Sequence, residues 1–177
     1  MALGMGEINN ASALISRAQS RTDIRFLSAE YSAQNISQLQ FVSGGAGKWS
    51  KPSGPTVAGF SAVCYLTAAE VFDSRQGSVP MGLIDTAVGG TAIQLWLPPA
   101  QSGDCAAAGP HVLFDKAPWT YSCWYNGMMS PLASGPTDFS AFLWVRTADN
   151  RLFNAMQTIQ LAQCVVLHLR NRQSCCH

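Results

Sequence analysis

Apolar positions recur along this chain in two rhythms, and the changes of rhythm divide it into elements. From Ala11 onward, Leu14, Ile15 and Ala18 fall on one helical face to about residue 20, with Asn9 or Asn10 placed to cap it. Ile24-Arg25-Phe26-Leu27-Ser28 then alternates in part, as a half-buried strand does. The pattern lapses over residues 30–58, where Gly44-Gly45-Ala46-Gly47 and Pro52-Ser53-Gly54-Pro55 mark a long loop. Trp49 is expected to anchor that loop by packing down. From Gly59 to Phe72 helical spacing returns through Phe60, Val63, Cys64, Thr67 and Val71.

The next stretch is the one the chain is organised around. Leu83 and Ile84, after Pro80 and Gly82, read as a short buried strand. Gly89-Gly90 interrupts it and reads as a tight turn, after which Thr91 is placed to cap a helix carrying Ile93 and Trp96. Residues 97–124 hold Pro98-Pro99, Gly103, Gly109-Pro110 and Pro118 and are irregular. A short helical segment follows from Asn126 to Leu132, cut by Pro131. Residues 139–145 predict a strand, 151–163 a helix through Leu152, Phe153, Met156, Ile159 and Leu161, and 164–169 a last strand. Strands alternating with helices predict an α/β fold with a mainly parallel sheet, as one domain over residues 1–169. Residues 170–177 form a polar tail without assignable structure, and there is no internal repeat.

Composition narrows the functional classes. With 177 residues and a 47% apolar share, the chain can build one core. A net charge of +1 gives no electrostatic case for nucleic acid or for an anionic membrane surface. No apolar run reaches the ~18 residues of a membrane helix, and no basic segment followed by an apolar core opens the sequence. The six cysteines, Cys64, Cys105, Cys123, Cys164, Cys175 and Cys176, form no CxxC pair and no Cys/His spacing for a metal, so neither metal nor cofactor is expected. Cys105 and Cys123 flank one irregular segment and are candidates for a disulfide, while Cys64, on an apolar helix face, reads as a buried thiol. Asn10-Ala11-Ser12 and Asn35-Ile36-Ser37 are glycosylation sequons. Nothing in the sequence specifies an oligomeric state.

Candidate chemistry centres on Gly89-Gly90. Two glycines let a backbone approach a ligand with no Cβ in the way. At the carboxyl end of a strand in an open α/β sheet, ligands bind, and free backbone N–H groups there can hold an oxyanion. The same two residues are also compatible with a plain turn.

Three ordered blocks carry a resemblance. Phe60-Ser61-Ala62-Val63-Cys64-Tyr65, Val79-Pro80-Met81-Gly82-Leu83-Ile84 and Gly89-Gly90-Thr91-Ala92-Ile93-Gln94-Leu95-Trp96 resemble the sialate O-acetylesterases, of the SGNH (GDSL-like) hydrolases. Tyr125-Asn126-Gly127-Met128-Met129-Ser130-Pro131-Leu132 and Phe142-Leu143-Trp144 are similar to the family's following blocks, so that the likeness runs from about Glu7 to Asn150. The resemblance implies a three-layer α/β/α, flavodoxin-like SGNH fold, a carboxylic ester hydrolase, an O-acetylated sugar as substrate, and a secretory or lysosomal setting. It also implies an oxyanion hole built from Gly89 or Gly90 and from Asn150.

The family's remaining blocks are not matched. Its nucleophilic serine belongs to a Gly-Gln-Ser-Asn-Met-like block, where this chain has Met1-Ala2-Leu3-Gly4-Met5-Gly6. Its histidine belongs to an Asp-x-x-His block. His111 lies in a loop, His168 in an apparent strand and His177 at the terminus, and neither of the last two follows an aspartate by three residues. Trp144 and Asn150 keep the family's spacing, but Arg146, Thr147 and Ala148 replace its Gln, Gly and Glu. The expectation is therefore an incomplete SGNH-type domain of esterase lineage. Without nucleophile and base, only the residual ~10³–10⁴-fold catalysis of an oxyanion hole and binding is expected. The alternative expectation is a non-catalytic carbohydrate-binding or structural remnant, or a partial gene model.

Overall fold

The computed structural model describes residues 3–29, 31–41, 48–91, 93–101, 120–134, 141–148 and 159–168. A 3₁₀ turn, Met5–Glu7, leads into helix α1 (Ala11–Gln19). Strand β1 (Ile24–Ser28) follows, then helix α2 (Gly54–Gly59), helix α3 (Ala62–Ser74) and strand β2 (Met81–Asp85). Strand β3 (Val88–Thr91) continues from β2, and strands β4 (Ala141–Ala148) and β5 (Ile159–His168) complete a five-stranded sheet. Among the described residues no helix is long and apolar enough to cross a membrane.

β1 and β2 pair in parallel, Ile24 opposite Met81 and Ser28 opposite Asp85. That is the pairing a β–helix–β crossover requires, and it joins the strand expected at 24–28 to the one expected around Leu83-Ile84. The rest of the sheet is not parallel by direct pairing. β5 runs antiparallel to β2, to β3 and to β4. Its residues 164–168 and then 159–161 take β2 and β3 along one edge, and β4 lies along the other. β1, β2, β3 and β4 therefore all run the same way, with β5 inserted against them. The expectation of a mainly parallel sheet is corrected to a mixed α/β sheet with one directly bonded parallel pair.

The cause is local to residues 159–163, expected as the end of a helix. Ile159 and Leu161 do fit helical spacing, but they continue into Cys164-Val165-Val166-Leu167, a run suited to a strand. Pairing with β4 along its whole length, and with β2, outweighs that weak helical periodicity.

Both faces of β1–β2 are covered. Ile24, Phe26, Met81 and Leu83 point to one face, where they pack with Val57, Phe60, Cys64, Tyr65 and Phe72 of the helical layer. Leu27 and Ile84, one residue out of phase, point to the other and meet Leu132 and Phe41. Each fully buried side chain of this kind contributes about 1.5–3 kcal/mol. Phe26 also sits edge-on to Phe60 at 4.9 Å.

Three helix boundaries differ from the pattern. α3 begins at Ala62 because Ser61 caps it, its Oγ accepting from the Cys64 N–H at 3.4 Å. It ends where Gln76 and Gly77 turn left-handed and the Gly77 N–H donates to the Phe72 carbonyl at 3.0 Å. The expected loop at 30–58 contains α2, started by the Ser53 cap and Pro55 in its first turn. Trp49 does not pack down; it is 43% exposed. Its neighbour Ser50 instead holds the segment, exchanging two backbone hydrogen bonds with Phe26 on the outer edge of β1.

The cysteine expectations change as well. Cys64 is buried on the helix face as expected, but it is disulfide-bonded. Cys123 is a buried free thiol, which corrects its expected pairing with Cys105; Cys105 lies outside the described residues. Burial pushes the Cys123 thiol up to about 11.

Candidate active site at the carboxyl end of the sheet

The direction shared by β1, β2, β3 and β4 puts their carboxyl ends at one edge of the sheet, where ligands bind in open α/β folds. Gly89-Gly90 stands at this edge, in a different form from the one expected. It is neither a tight turn nor the start of a helix. Val88 pairs with Leu161 and Thr91 with Ile159, so β3 spends three steps where β5 spends two. One extra residue is bulged out of the ladder at the glycine pair. A bulge leaves a backbone N–H unpaired by its neighbour strand, which is the property an oxyanion donor needs.

After the bulge a 3₁₀ turn, Ile93–Leu95, stands in place of the expected helix. Thr91 does not cap it. Its buried hydroxyl donates to the Val88 carbonyl at 2.7 Å and accepts from Trp96 Nε1 at 2.9 Å. The hydroxyl thus bridges the two ends of the bulge to the indole that closes the turn. Trp96 stacks on Trp124 at 6.1 Å, and Tyr31 meets Trp124 edge-on at 6.3 Å. Val88, Ala29, Leu95 and Met128 pack around these two indoles.

The floor of the site is the end of β2. Ala29 extends the β1–β2 ladder by donating to the Asp85 carbonyl at 2.9 Å. The half-buried Asp85 carboxylate accepts from the Ala87 N–H at 3.2 Å. Burial pushes this carboxyl up to about 6 in spite of that hydrogen bond. Among the described residues no cation lies within ion-pair distance of it.

Residues 31–41 leave β1 at this edge and are strapped to the segment 122–130. Here the π-helical turn Tyr125–Met129 runs into a short α-helix, Ser130–Ala133. Buried Asn126 makes the clamp. Its Nδ2 donates to the Gln34 carbonyl at 3.1 Å, its Oδ1 accepts from Ser37 Oγ at 2.8 Å, and its carbonyl accepts from the Gln38 N–H at 2.9 Å. Ser130 Oγ donates to the Gln38 carbonyl at 2.9 Å. Gly127 permits the approach: a Cβ there would stand 2.7 Å from the Ser32 carbonyl carbon and closer still to its oxygen.

The amino-terminal segment reaches the same edge. α3 must run from the carboxyl end of β1 back to the start of β2, so its first turn lies beside the ends of the strands. Gly4 bridges to Ser61 there, and the Met5 N–H donates to the Phe60 carbonyl at 2.9 Å. Gly4 and Met5 therefore lie at the edge toward which the strands run.

The other site residues fall elsewhere. Asn150, His111 and His177 lie outside the described residues. β4, which leads toward Asn150, ends at Ala148 opposite Ile159, the residue that also pairs with Thr91. His168, the one histidine among the described residues, pairs with Met81 at the far end of the sheet. Seven residues of β5 separate it from the partner of Val88, roughly 23 Å at a strand's rise.

Several members of this edge were not visible in the pattern. Asp85, Thr91 with Trp96, and the Asn126–Gly127 clamp depend on contacts between distant segments. Only Gly127, a glycine inside a helical run, carried a local signal of close approach.

No protein-family model matches the chain, and no curated protein matches it. Among solved structures it is similar to the crystal structure of a carbohydrate acetylesterase from Xanthomonas citri, at 23% identity and a TM-score of 0.59. The similarity covers 75% of this chain and 27% of that one, so this chain spans about a quarter of that protein's length. At this identity the likeness is one of fold: the chain has an esterase-like α/β fold.

Proposed function

We propose that this chain belongs to a carbohydrate acetylesterase of the sialate O-acetylesterase type, built on an SGNH-like three-layer frame. It removes O-acetyl groups from sialic acid or a related sugar. The observation that carries the reading is the Gly89-Gly90 bulge at the carboxyl edge of a fold shared with a carbohydrate acetylesterase. In this reading the acetyl carbonyl oxygen lies on backbone N–H groups of the bulge. A serine attacks the carbonyl carbon, and the bulge N–H groups, with the Asn150 amide, take up the charge on the tetrahedral oxygen. The serine and its histidine base belong to the Gly-Gln-Ser-Asn-Met-like and Asp-x-x-His blocks that this sequence does not match. The esterase is then a product carrying those blocks, and these 177 residues alone are a poor esterase.

Sequencing the full-length transcript tests this. A Gly-x-Ser-x block upstream and an Asp-x-x-His block downstream, with acetate released from 4-nitrophenyl acetate by the encoded protein, support the proposal. In that protein Gly90→Ala is expected to lower turnover by ~10²–10³, with circular dichroism unchanged. A folded Gly90→Ala variant with the parent's turnover overturns the oxyanion assignment. A transcript that encodes neither block favours the non-catalytic carbohydrate-binding or structural reading.

A further inference from the structure

The strap formed by residues 31–41 is held down on one side and bare on the other. Its inner side is bound by Asn126, Ser130 and the Cys123 carbonyl, which accepts from the Gln34 N–H at 3.0 Å. Its outer side presents Ile36 and Leu39, 72% and 76% exposed, and Tyr31, although edge-on to Trp124, is still 58% exposed. Apolar groups clustered on so short a surface segment call for something to cover them. Between them lies the sequon Asn35-Ile36-Ser37.

We propose that Asn35 carries an N-linked glycan. Three observations converge on it. Asn35 is exposed, on a stretch without helix or strand. Its Oδ1 accepts from Thr120 Oγ1 at 3.2 Å, while its Nδ2, the atom that would be glycosylated, has no partner among the described residues. Independently, Cys64 is disulfide-bonded inside the helical core, and structural disulfides belong to oxidising compartments. The second sequon is less well placed. Asn10 starts α1 at φ 61°, and Ala11 and Ser12 are already helical.

The transfer is balanced with a lipid-pyrophosphate-linked oligosaccharide as donor. A bond forms from Asn35 Nδ2 to the anomeric carbon. The anomeric C–O bond breaks, its electron pair leaves with the lipid pyrophosphate, and one amide proton passes to a base. The glycan then lies over Ile36 and Leu39, a bulky and solubilising cover on the exposed side of the strap.

The test is secretion of the full chain, behind a cleavable leader, from a eukaryotic host. Peptide-N-glycosidase treatment in ¹⁸O-water should convert Asn35 to labelled Asp in tryptic peptides. Asn35→Gln should abolish that glycan, and Ser37→Thr, which keeps both the sequon and the hydroxyl that bonds Asn126, should retain it. Should secretion fail, translation into microsomes reads the same mass shift on the nascent chain. An unmodified Asn35 in either system overturns the proposal. The readout does not depend on esterase activity.

Discussion

Asp85 offers the sharpest test of the sheet edge. Its carboxyl is raised from 3.8 to about 6 by burial, which outweighs the hydrogen bond it accepts from the Ala87 N–H. The folded state therefore prefers the protonated acid. The resulting stability is fully present below pH 3.8 and is lost as pH rises through about 6. A shift of this size corresponds to about 3 kcal/mol at most, at ~1.4 kcal/mol per pH unit. Because Asp85 is only half-buried, solvent screening reduces the expected effect to about 1–2 kcal/mol.

Asp85→Asn removes the titration while keeping an oxygen that accepts from the Ala87 N–H. Urea unfolding of both proteins at pH 4.5 and pH 7.5 isolates the residue, since every other titrating group is common to the pair. The variant should exceed the parent by about 1–2 kcal/mol at pH 7.5 and by only about a third of that at pH 4.5. Parallel pH profiles for the two proteins would refute the argument, because they would mean that Asp85 titrates alike in the folded and unfolded chains.

Gly127→Ala places a methyl group 2.7 Å from the Ser32 carbonyl carbon, so the strap must lift from the Tyr125–Met129 turn. The expected cost is about 3 kcal/mol, the upper end for overpacking, read as a lower Tm together with faster proteolysis within residues 31–41. Arg21→Met removes a guanidinium that holds Asp73 at 3.0 and 2.6 Å and donates to the buried Tyr65 hydroxyl at 2.5 Å. Asp73 is 37% exposed, which discounts the ion pair, so about 2 kcal/mol is expected in chemical denaturation, mostly from the stranded Tyr65 hydroxyl. Arg21 holds the Asp73 carboxyl below its ordinary value, so that share of the stability is present above pH 3.8 and lost as pH falls below it; Arg21→Met should flatten this acid limb. Thr91→Val strips the bulge of its hydroxyl bridge and leaves Trp96 Nε1 without its acceptor. A loss of about 1–3 kcal/mol is expected, with a shift in tryptophan emission as the check.

What can be read from the sequence is whatever is written in neighbouring residues. The α1 face at Leu14, Ile15 and Ala18, the β1 alternation and the Leu83-Ile84 strand all follow from local spacing. So does their parallel register, because a helix between two strands leaves little other choice. The errors come where distant partners decide. Gly89-Gly90 has the same local signature as a turn or as a bulge, and only pairing with Ile159 and Leu161 selects the bulge. Ile159 and Leu161 look helical until β4 supplies a ladder. Trp49 is expected inside on size alone, yet Ser50 beside it makes the anchoring bonds to Phe26 through the backbone, a contact that side-chain pattern does not encode. At the site, the glycine pair is locatable from the chain itself, whereas Asp85 becomes notable only once the fold has buried it.

The sheet register also bears on how many donors one oxyanion can have. Thr91 and Ala148 pair with the same residue, Ile159, from opposite edges of β5. They are two strand spacings apart, roughly 10 Å. Two donors serving one oxygen must each lie about 2.7–3.1 Å from it, hence within about 6 Å of each other. Asn150 is two residues beyond Ala148, and two extended residues reach at most about 7 Å. For Asn150 to join the bulge, the chain after Ala148 has to turn across the end of β5 toward β3; continuing straight, it carries the asparagine away. The glycine pair meets no such constraint, because its bulge lies within β3 itself. In the function proposed above it is the donor that asks for no further bend of the chain. The asparagine is a donor only through a bend next to the very stretch, Arg146-Thr147-Ala148, where the sequence departs from the esterase pattern.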